Sequence, residues 1–187
     1  GLPKYPKAPF NYKAPFSPID VIEEYTRPAR MMINGKLITK PALSEIEILN
    51  FNNDIELEAF NTDGLRSILQ TMSHVNNMSE KTLRFPGHAK LIKEYIKEGI
   101  LQDEVTIEYL FNEWKLEKDE PEFTILKVII ETDEKTISYE LFDEFDKTSK
   151  TSSMARTTGY TATATINLIL EGLFDNKGVF PPESVCK

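Results

Sequence analysis

Polar and apolar side chains alternate along Glu45-Ile46-Glu47-Ile48-Leu49 and along Ile55-Glu56-Leu57-Glu58-Ala59-Phe60. A period of two sets one face on a core and leaves the other in water, so both stretches predict half-buried strands. Arg30-Met31-Met32-Ile33 and Lys36-Leu37-Ile38-Thr39 flank Asn34-Gly35, a hairpin turn in which both positions tolerate positive φ. Glu80 to Phe85 reads as a further strand. Phe123 to Glu131 and Thr136 to Phe145 read as a strand pair around Thr132-Asp133-Glu134-Lys135. Helical spacing appears elsewhere. Ser17-Pro18 supplies an N-cap and a first helical position to a helix with Ile19, Val21, Ile22 and Tyr25 on one side. Asp63 caps a helix through Leu65, Ile68, Leu69 and Met72. Pro86-Gly87 breaks a strand ahead of a helix carrying Leu91, Ile92, Tyr95 and Ile96, which Gly99 ends. An amphipathic helix over Val105 to Leu116 follows, then a charged loop from Glu117 to Glu122. The longest helix starts at Ser152 or Ser153 and runs to about Glu171. Pro3, Pro6, Pro9 and Pro15 make residues 1–17 an irregular, extended arm. The whole predicts an α/β (α+β) fold, with a mixed, largely antiparallel sheet and helices packed on one face. Residues 1–187 form a single domain in this reading.

Composition narrows the function classes. The chain has 187 residues, enough for a substantial core, and 40% of them are hydrophobic. The formal net charge of -8 repels phosphate backbones, which argues against a nucleic-acid partner. No apolar run approaches the roughly 20 residues of a membrane helix, which argues against a membrane partner. Gly1-Leu2-Pro3-Lys4 carries neither an initiator Met nor a signal region, so the expectation is an excised or processed chain with no secretion signal. Cys186 is the single cysteine, which rules out a disulfide framework within one chain and points to a reducing, cytoplasmic setting. Two histidines and a terminal cysteine cannot build a His/Cys metal cluster, so no metal site is expected.

The candidate chemistry is sparse. No G-x-G-x-x-G, P-loop, G-x-S-x-G or H-E-x-x-H is present. Arg84 lies at a strand end before a helix, where a guanidinium grips a carboxylate with two parallel bonds or serves in a structural ion pair. His88, just past Pro86-Gly87, is a candidate general base or a helix-start polar residue. Asn61, Thr62 and Asp63 follow a strand in the same way, to contact a polar ligand or to cap the next helix. His74 reads as a surface cation near a helix end. Ser153-Met154-Ala155-Arg156-Thr157-Thr158-Gly159 opens the longest helix with residues suited to an anion or to close packing, and packing is favoured. The acidic residues from Glu131 to Asp146 read as a solvated face.

Several segments, taken in order, resemble the saccharopine dehydrogenase family, in its C-terminal, substrate-side region. They are Gly1-Leu2-Pro3; Asn11-Tyr12-Lys13 with Phe16-Ser17-Pro18; Tyr25-Thr26-Arg27-Pro28-Ala29 with Asn34-Gly35-Lys36; and Phe60-Asn61-Thr62-Asp63-Gly64-Leu65. The most specific is Lys81-Thr82-Leu83-Arg84-Phe85-Pro86-Gly87-His88, and Ser153 to Gly159 and Gly178-Val179-Phe180-Pro181-Pro182-Glu183 complete the set. Asn11 and Phe16 depart from the Gly and Trp of the family pattern. The Thr-Leu-Arg-Phe-Pro-Gly-His form resembles a bacterial, lysine-dehydrogenase-like branch.

The resemblance implies a Rossmann half outside this stretch, to which the chain returns after Pro181-Pro182-Glu183. It implies NAD(P)-linked chemistry at a carbon–nitrogen bond of a lysine-related amino acid, with NAD or NADP held by the full-length enzyme and not by this stretch alone. It implies a substrate-binding and homodimerisation role here. Arg84 becomes the carboxylate anchor, and Asn61, Thr62, Asp63, Tyr12 and Lys13 become substrate contacts. Leu2 becomes a contact at the cofactor edge, and no catalytic group beyond the candidate His88 is assigned. The alternatives are a carboxynorspermidine-type dehydrogenase of polyamine synthesis, and a non-catalytic dimerisation or ligand-sensing module.

Overall fold

In the computed structural model, which describes residues 1–51 and 54–185, the proline-punctuated first segment forms one short strand, β1 (Leu2–Pro3). It is no loose arm. Phe10, Tyr12 and Ala14 along it are buried in the main apolar cluster. Cys186, on which the cysteine reading rests, lies outside the described residues. Helix α1 (Pro18–Thr26) starts where Ser17-Pro18 predicts, with Val21 and Tyr25 buried and Ile19 exposed; the Ser17 side chain makes no capping bond. The hairpin β2 (Ala29–Ile33) and β3 (Lys36–Lys40) turns at Asn34 and Gly35, whose φ values are 50° and 70°.

Next come β4 (Glu47–Phe51), β5 (Ile55–Asn61), the short α2 (Ile68–Thr71) and β6 (Lys81–Arg84). Then follow α3 (His88–Lys97), α4 (Glu104–Trp114), the long hairpin β7 (Glu122–Glu131) and β8 (Thr136–Glu144), and α5 (Ser153–Leu170). The mixed α/β, largely antiparallel class is as the alternation predicts. Its strands are shared among three sheets, with orders β4-β5-β6, β2-β3 and β1-β7-β8. Among the described residues every strand pair is antiparallel, and a parallel bridge joins Ala14 to Lys115.

The core gathers between β5, α1, α3 and α4. Trp114, Tyr25, Phe60, Leu57, Ile92, Leu110 and Val21 are almost wholly withdrawn from water. Strand β5 departs from the alternation, because Leu57 to Asn61 are all buried. Glu58 sits on the face expected to be wet, yet its carboxylate accepts from Gly87 N at 2.9 Å and Ala89 N at 2.5 Å. A buried carboxylate on a helix N-terminus meets unpaired N–H groups and the positive end of the helix dipole. Glu58 thereby fixes the start of α3 and, with it, His88. Helix α2 is shorter than its spacing predicts. Asp63 does not cap it, because its carboxylate takes Arg30, through Nε at 2.9 Å and Nη2 at 2.9 Å.

Candidate functional site

Arg84 closes β6 opposite Glu58 and is 7% exposed. Its Nε donates to Tyr25 Oη at 2.8 Å and its Nη1 to the Leu83 carbonyl at 2.8 Å. Nη2 reaches Glu24 Oε2 at a loose 3.4 Å. The guanidinium carbon lies 4.5 Å from the Tyr12 ring centroid and 5.6 Å from that of Tyr25, so two aromatic faces hold it. Burial works against the charge. The facing Tyr25, Tyr12 and Glu24 more than offset it, and Arg84 stays protonated.

His88, 1% exposed, joins this cluster from the first turn of α3. Its Nδ1 is 2.8 Å from the Phe10 carbonyl and its Nε2 is 2.9 Å from Tyr25 Oη. A carbonyl only accepts, so Nδ1 carries the hydrogen and Nε2 accepts from Tyr25. The result is a one-way chain in which Arg84 Nε–H donates to Tyr25, Tyr25 to His88, and His88 to Phe10. Burial, aided by the nearby Arg84 charge, lowers the His88 pKa to about 3, so the ring is neutral. Both of its nitrogens are engaged. Burial pushes the Tyr12 phenol up to about 12, and its Oη has no hydrogen-bond partner.

Asn61, Thr62 and Asp63 are all buried. Asn61 Nδ2 donates to Ser44 Oγ at 3.0 Å and Glu45 Oε2 at 2.9 Å, while its Oδ1 is unpartnered. Thr62 Oγ1 lies 2.7 Å from Glu80 Oε2 and 2.8 Å from Thr82 Oγ1. Thr82 Oγ1 in turn makes a short hydrogen bond to Glu24 Oε1. Gly64 N donates to Glu80 Oε2 at 3.0 Å, an approach a side chain would block: a Cβ at Gly64 would lie 2.6 Å from Glu80 Cδ.

The model of the saccharopine dehydrogenase C-terminal domain matches residues 1–187. The chain belongs to this family. Its fold matches that of apo histidine-tagged saccharopine dehydrogenase (L-Glu forming) from Saccharomyces cerevisiae with a TM-score of 0.73, at 16% identity, over 97% of this chain and 59% of that one. The mitochondrial alpha-aminoadipic semialdehyde synthases of Mus musculus and Rattus norvegicus are each 24% identical to it over 108 residues. That alignment covers 54% of this chain and 12% of each synthase. Saccharopine dehydrogenases, the members of this family, are oxidoreductases of lysine metabolism.

The other expected positions make contacts of their own away from Arg84. Lys13 Nζ donates to the Glu113 carbonyl at 2.9 Å, in the last turn of α4. Leu2 pairs with Phe123 and is buried in the apolar cluster. At the start of α5 the anion is the protein's own. Glu122 accepts from Ser153 N at 2.5 Å and Ser153 Oγ at 2.6 Å, while Arg156 pairs with Asp143 and Asp146. His74 is exposed beyond the end of α2. The residues from Thr161 to Ala164 are exposed, so that stretch of α5 is left uncovered by the described residues. An open cavity of about 550 Å³, lined by Tyr25, Lys40, Leu43 and Lys93 among others, shares only Tyr25 with the Arg84 cluster. Tyr12 and Lys13 line a second space of about 20 Å³, room for a water-sized group.

Sequence reasoning gave no site role to Glu24, Tyr25, Glu80 or Thr82, although Tyr25 and Thr82 stand in the segments that carry the resemblance. Glu24 directly precedes Tyr25-Thr26-Arg27-Pro28-Ala29, and Glu80 directly precedes Lys81-Thr82-Leu83-Arg84-Phe85-Pro86-Gly87-His88. Closeness to the most specific motifs was the available signal. Among the described residues no helix is long and apolar enough to cross a membrane, and no group of three or more His, Cys, Asp or Glu is arranged to hold a metal.

Proposed function

We propose that this chain is the substrate-side domain of a saccharopine dehydrogenase-like oxidoreductase that acts with NAD(P) on a carbon–nitrogen bond of a lysine-related amino acid. Arg84 carries the proposal. It is a buried guanidinium whose three described bonds go to a phenol, a carbonyl and a carboxylate at a loose 3.4 Å. A guanidinium has five N–H donors, so two remain for a substrate carboxylate, which would replace Glu24 as the ionic partner. Tyr12 and Tyr25 wall the guanidinium, and His88 acts as a neutral positioning residue through Tyr25. The buried Asn61 Oδ1, which has no partner among the described residues, is assigned as the acceptor for a substrate N–H, while Thr62 and Asp63 hold that segment in place. Lys13 serves the site by fixing the end of α4.

The chain's own residues do not fit a dinucleotide. Its glycines stand singly along the chain, and Leu2 is closed into the core. NAD or NADP is therefore assigned to another part of the parent protein, in a cytoplasmic setting, with the domain also forming a homodimer. The test is steady-state kinetics of the full-length protein with NAD(P) and lysine-type substrates. Charged hydrogen bonds contribute about 1.5–3 kcal/mol. Arg84→Ala should therefore raise KM by about tenfold or more. An unchanged KM removes Arg84 from the site.

A further inference from the structure

Four oxygens stand in a row: Glu80 Oε2, Thr62 Oγ1, Thr82 Oγ1 and Glu24 Oε1. The first gap is 2.7 Å, the second is 2.8 Å, and the third is a short hydrogen bond. Each gap needs one hydrogen. Two ionised carboxylates bring none and two hydroxyls bring two, so one gap would be left with lone pairs facing lone pairs. The row closes only when one carboxyl is protonated. Burial pushes the Glu80 carboxyl up and the neighbouring Glu24 charge adds to this, whereas Glu24 faces Arg84. Around Glu24 also stand the Tyr12 and Tyr25 hydroxyls.

We propose that Glu80, Thr62, Thr82 and Glu24 share one proton, which rests on Glu80 while Glu24 pairs with Arg84 and passes to Glu24 when an anion takes Arg84. In the resting state Glu80 donates to Thr62, Thr62 to Thr82, and Thr82 to Glu24. When a carboxylate occupies Arg84, Glu24 loses its cation and meets a like charge, which raises its proton affinity. The Glu80 O–H then breaks as an O–H forms on Thr62. Thr62 passes its hydrogen to Thr82, and Thr82 passes its own to Glu24. All three hydrogen bonds survive with reversed polarity. The negative charge moves from Glu24 to Glu80, where Gly64 N–H receives it. No proton enters or leaves, so an anion binds beside Glu24 without a second carboxylate charge at the guanidinium. Thr62 and Thr82 are positioning residues in this chain. The shared proton stands on the geometry alone; its transfer rests on the reading of Arg84 as carboxylate anchor.

Difference infrared spectroscopy of the full-length protein near neutral pH tests both halves, with glutarate as the probe anion and calorimetry to follow its binding. Wild type minus Glu80→Gln should show the carbonyl band of a protonated carboxyl. Gln brings its own N–H to the row and so preserves the fold. Thr82→Val, which separates the carboxyls, should lose the band too. Its absence from wild type, or its persistence in both variants, overturns the shared proton. With glutarate bound, the band should appear in wild type minus Glu24→Gln instead. A band that stays with Glu80, while Arg84→Lys abolishes the glutarate heat, overturns the transfer and leaves the anchor standing. Equal heat in wild type and Arg84→Lys overturns the anchor and the transfer together, and the resting band then decides the shared proton alone.

Discussion

At the residue scale the cluster around Arg84 is ordered by which atoms are able to donate. The Phe10 carbonyl dictates the His88 tautomer, the tautomer dictates the Tyr25 rotor, and Tyr25 presents its lone pairs to Arg84 Nε. Because the ring is buried beside a guanidinium, its pKa falls to about 3, against about 6.5 for an ordinary histidine. The folded state thus binds the His88 proton more weakly than the unfolded chain. The resulting stability is fully present above about pH 6.5 and is lost as the pH falls toward the folded value. Urea denaturation of the protein from pH 7 down to about pH 5, above the range where most carboxylates titrate, should show stability falling by up to about 1.4 kcal/mol per pH unit. His88→Gln should flatten that slope. A slope unchanged by the substitution would mean that His88 is charged in the fold and that the one-way chain is misassigned.

At the element scale two buried glutamates start two helices. Glu58 holds the N-terminus of α3 through Gly87 and Ala89, and Glu122 holds that of α5 through Ser153. Glu58→Ala leaves two N–H groups in a dry site, and an unsatisfied buried donor costs about 1–3 kcal/mol. The variant should lose about 2 kcal/mol or more in urea denaturation and, through the displaced His88, loosen Arg84. A loss within 0.5 kcal/mol, ordinary for a surface substitution, would show that α3 starts without this cap. These glutamates also mark where the sequence stops being legible. The turns at Asn34-Gly35, Pro86-Gly87 and Gly99 were readable because turn chemistry is local, and with them came most element boundaries. Alternation read Glu58 as wet because it assumes water beyond the sheet, whereas α3 covers that face. The helix expected after Asp63 shrank because its cap was taken by Arg30, 33 positions away in sequence. Arg84 was legible as a motif residue at a strand end. Its partner Glu24 was not, because the two meet only across a sequence separation of 60.

At the scale of the whole molecule the far half of the β7–β8 hairpin and the outer length of α5 have no cover among the described residues. Leu126, Val128, Ile129 and Ile130 on β7 are exposed together with Tyr139, Leu141 and Phe142 on β8, and Ile166, Ile169 and Leu170 on α5. Adjacent residues alternate between faces, so a run from Val128 to Ile130 exposes apolar groups on both faces of the hairpin. Isolated apolar groups on a surface need no explanation, whereas a contiguous patch of this kind marks an interaction surface. Strand β8 is also the edge of its sheet, with a row of backbone groups unpaired on its outer side. A second copy related by a two-fold axis satisfies both features at once. Antiparallel β8 strands would pair across the axis, and the same apolar residues would meet their own counterparts. A stable interface buries about 800 Å² per partner, an area that a long hairpin and the face of an 18-residue helix supply. The full-length protein should therefore sediment as a dimer, and Ile129→Glu should shift it to monomer while leaving the fold, read by circular dichroism, intact. A wild-type protein that sediments as a monomer would instead assign this face to another part of its own chain, and the proposed homodimer would fall.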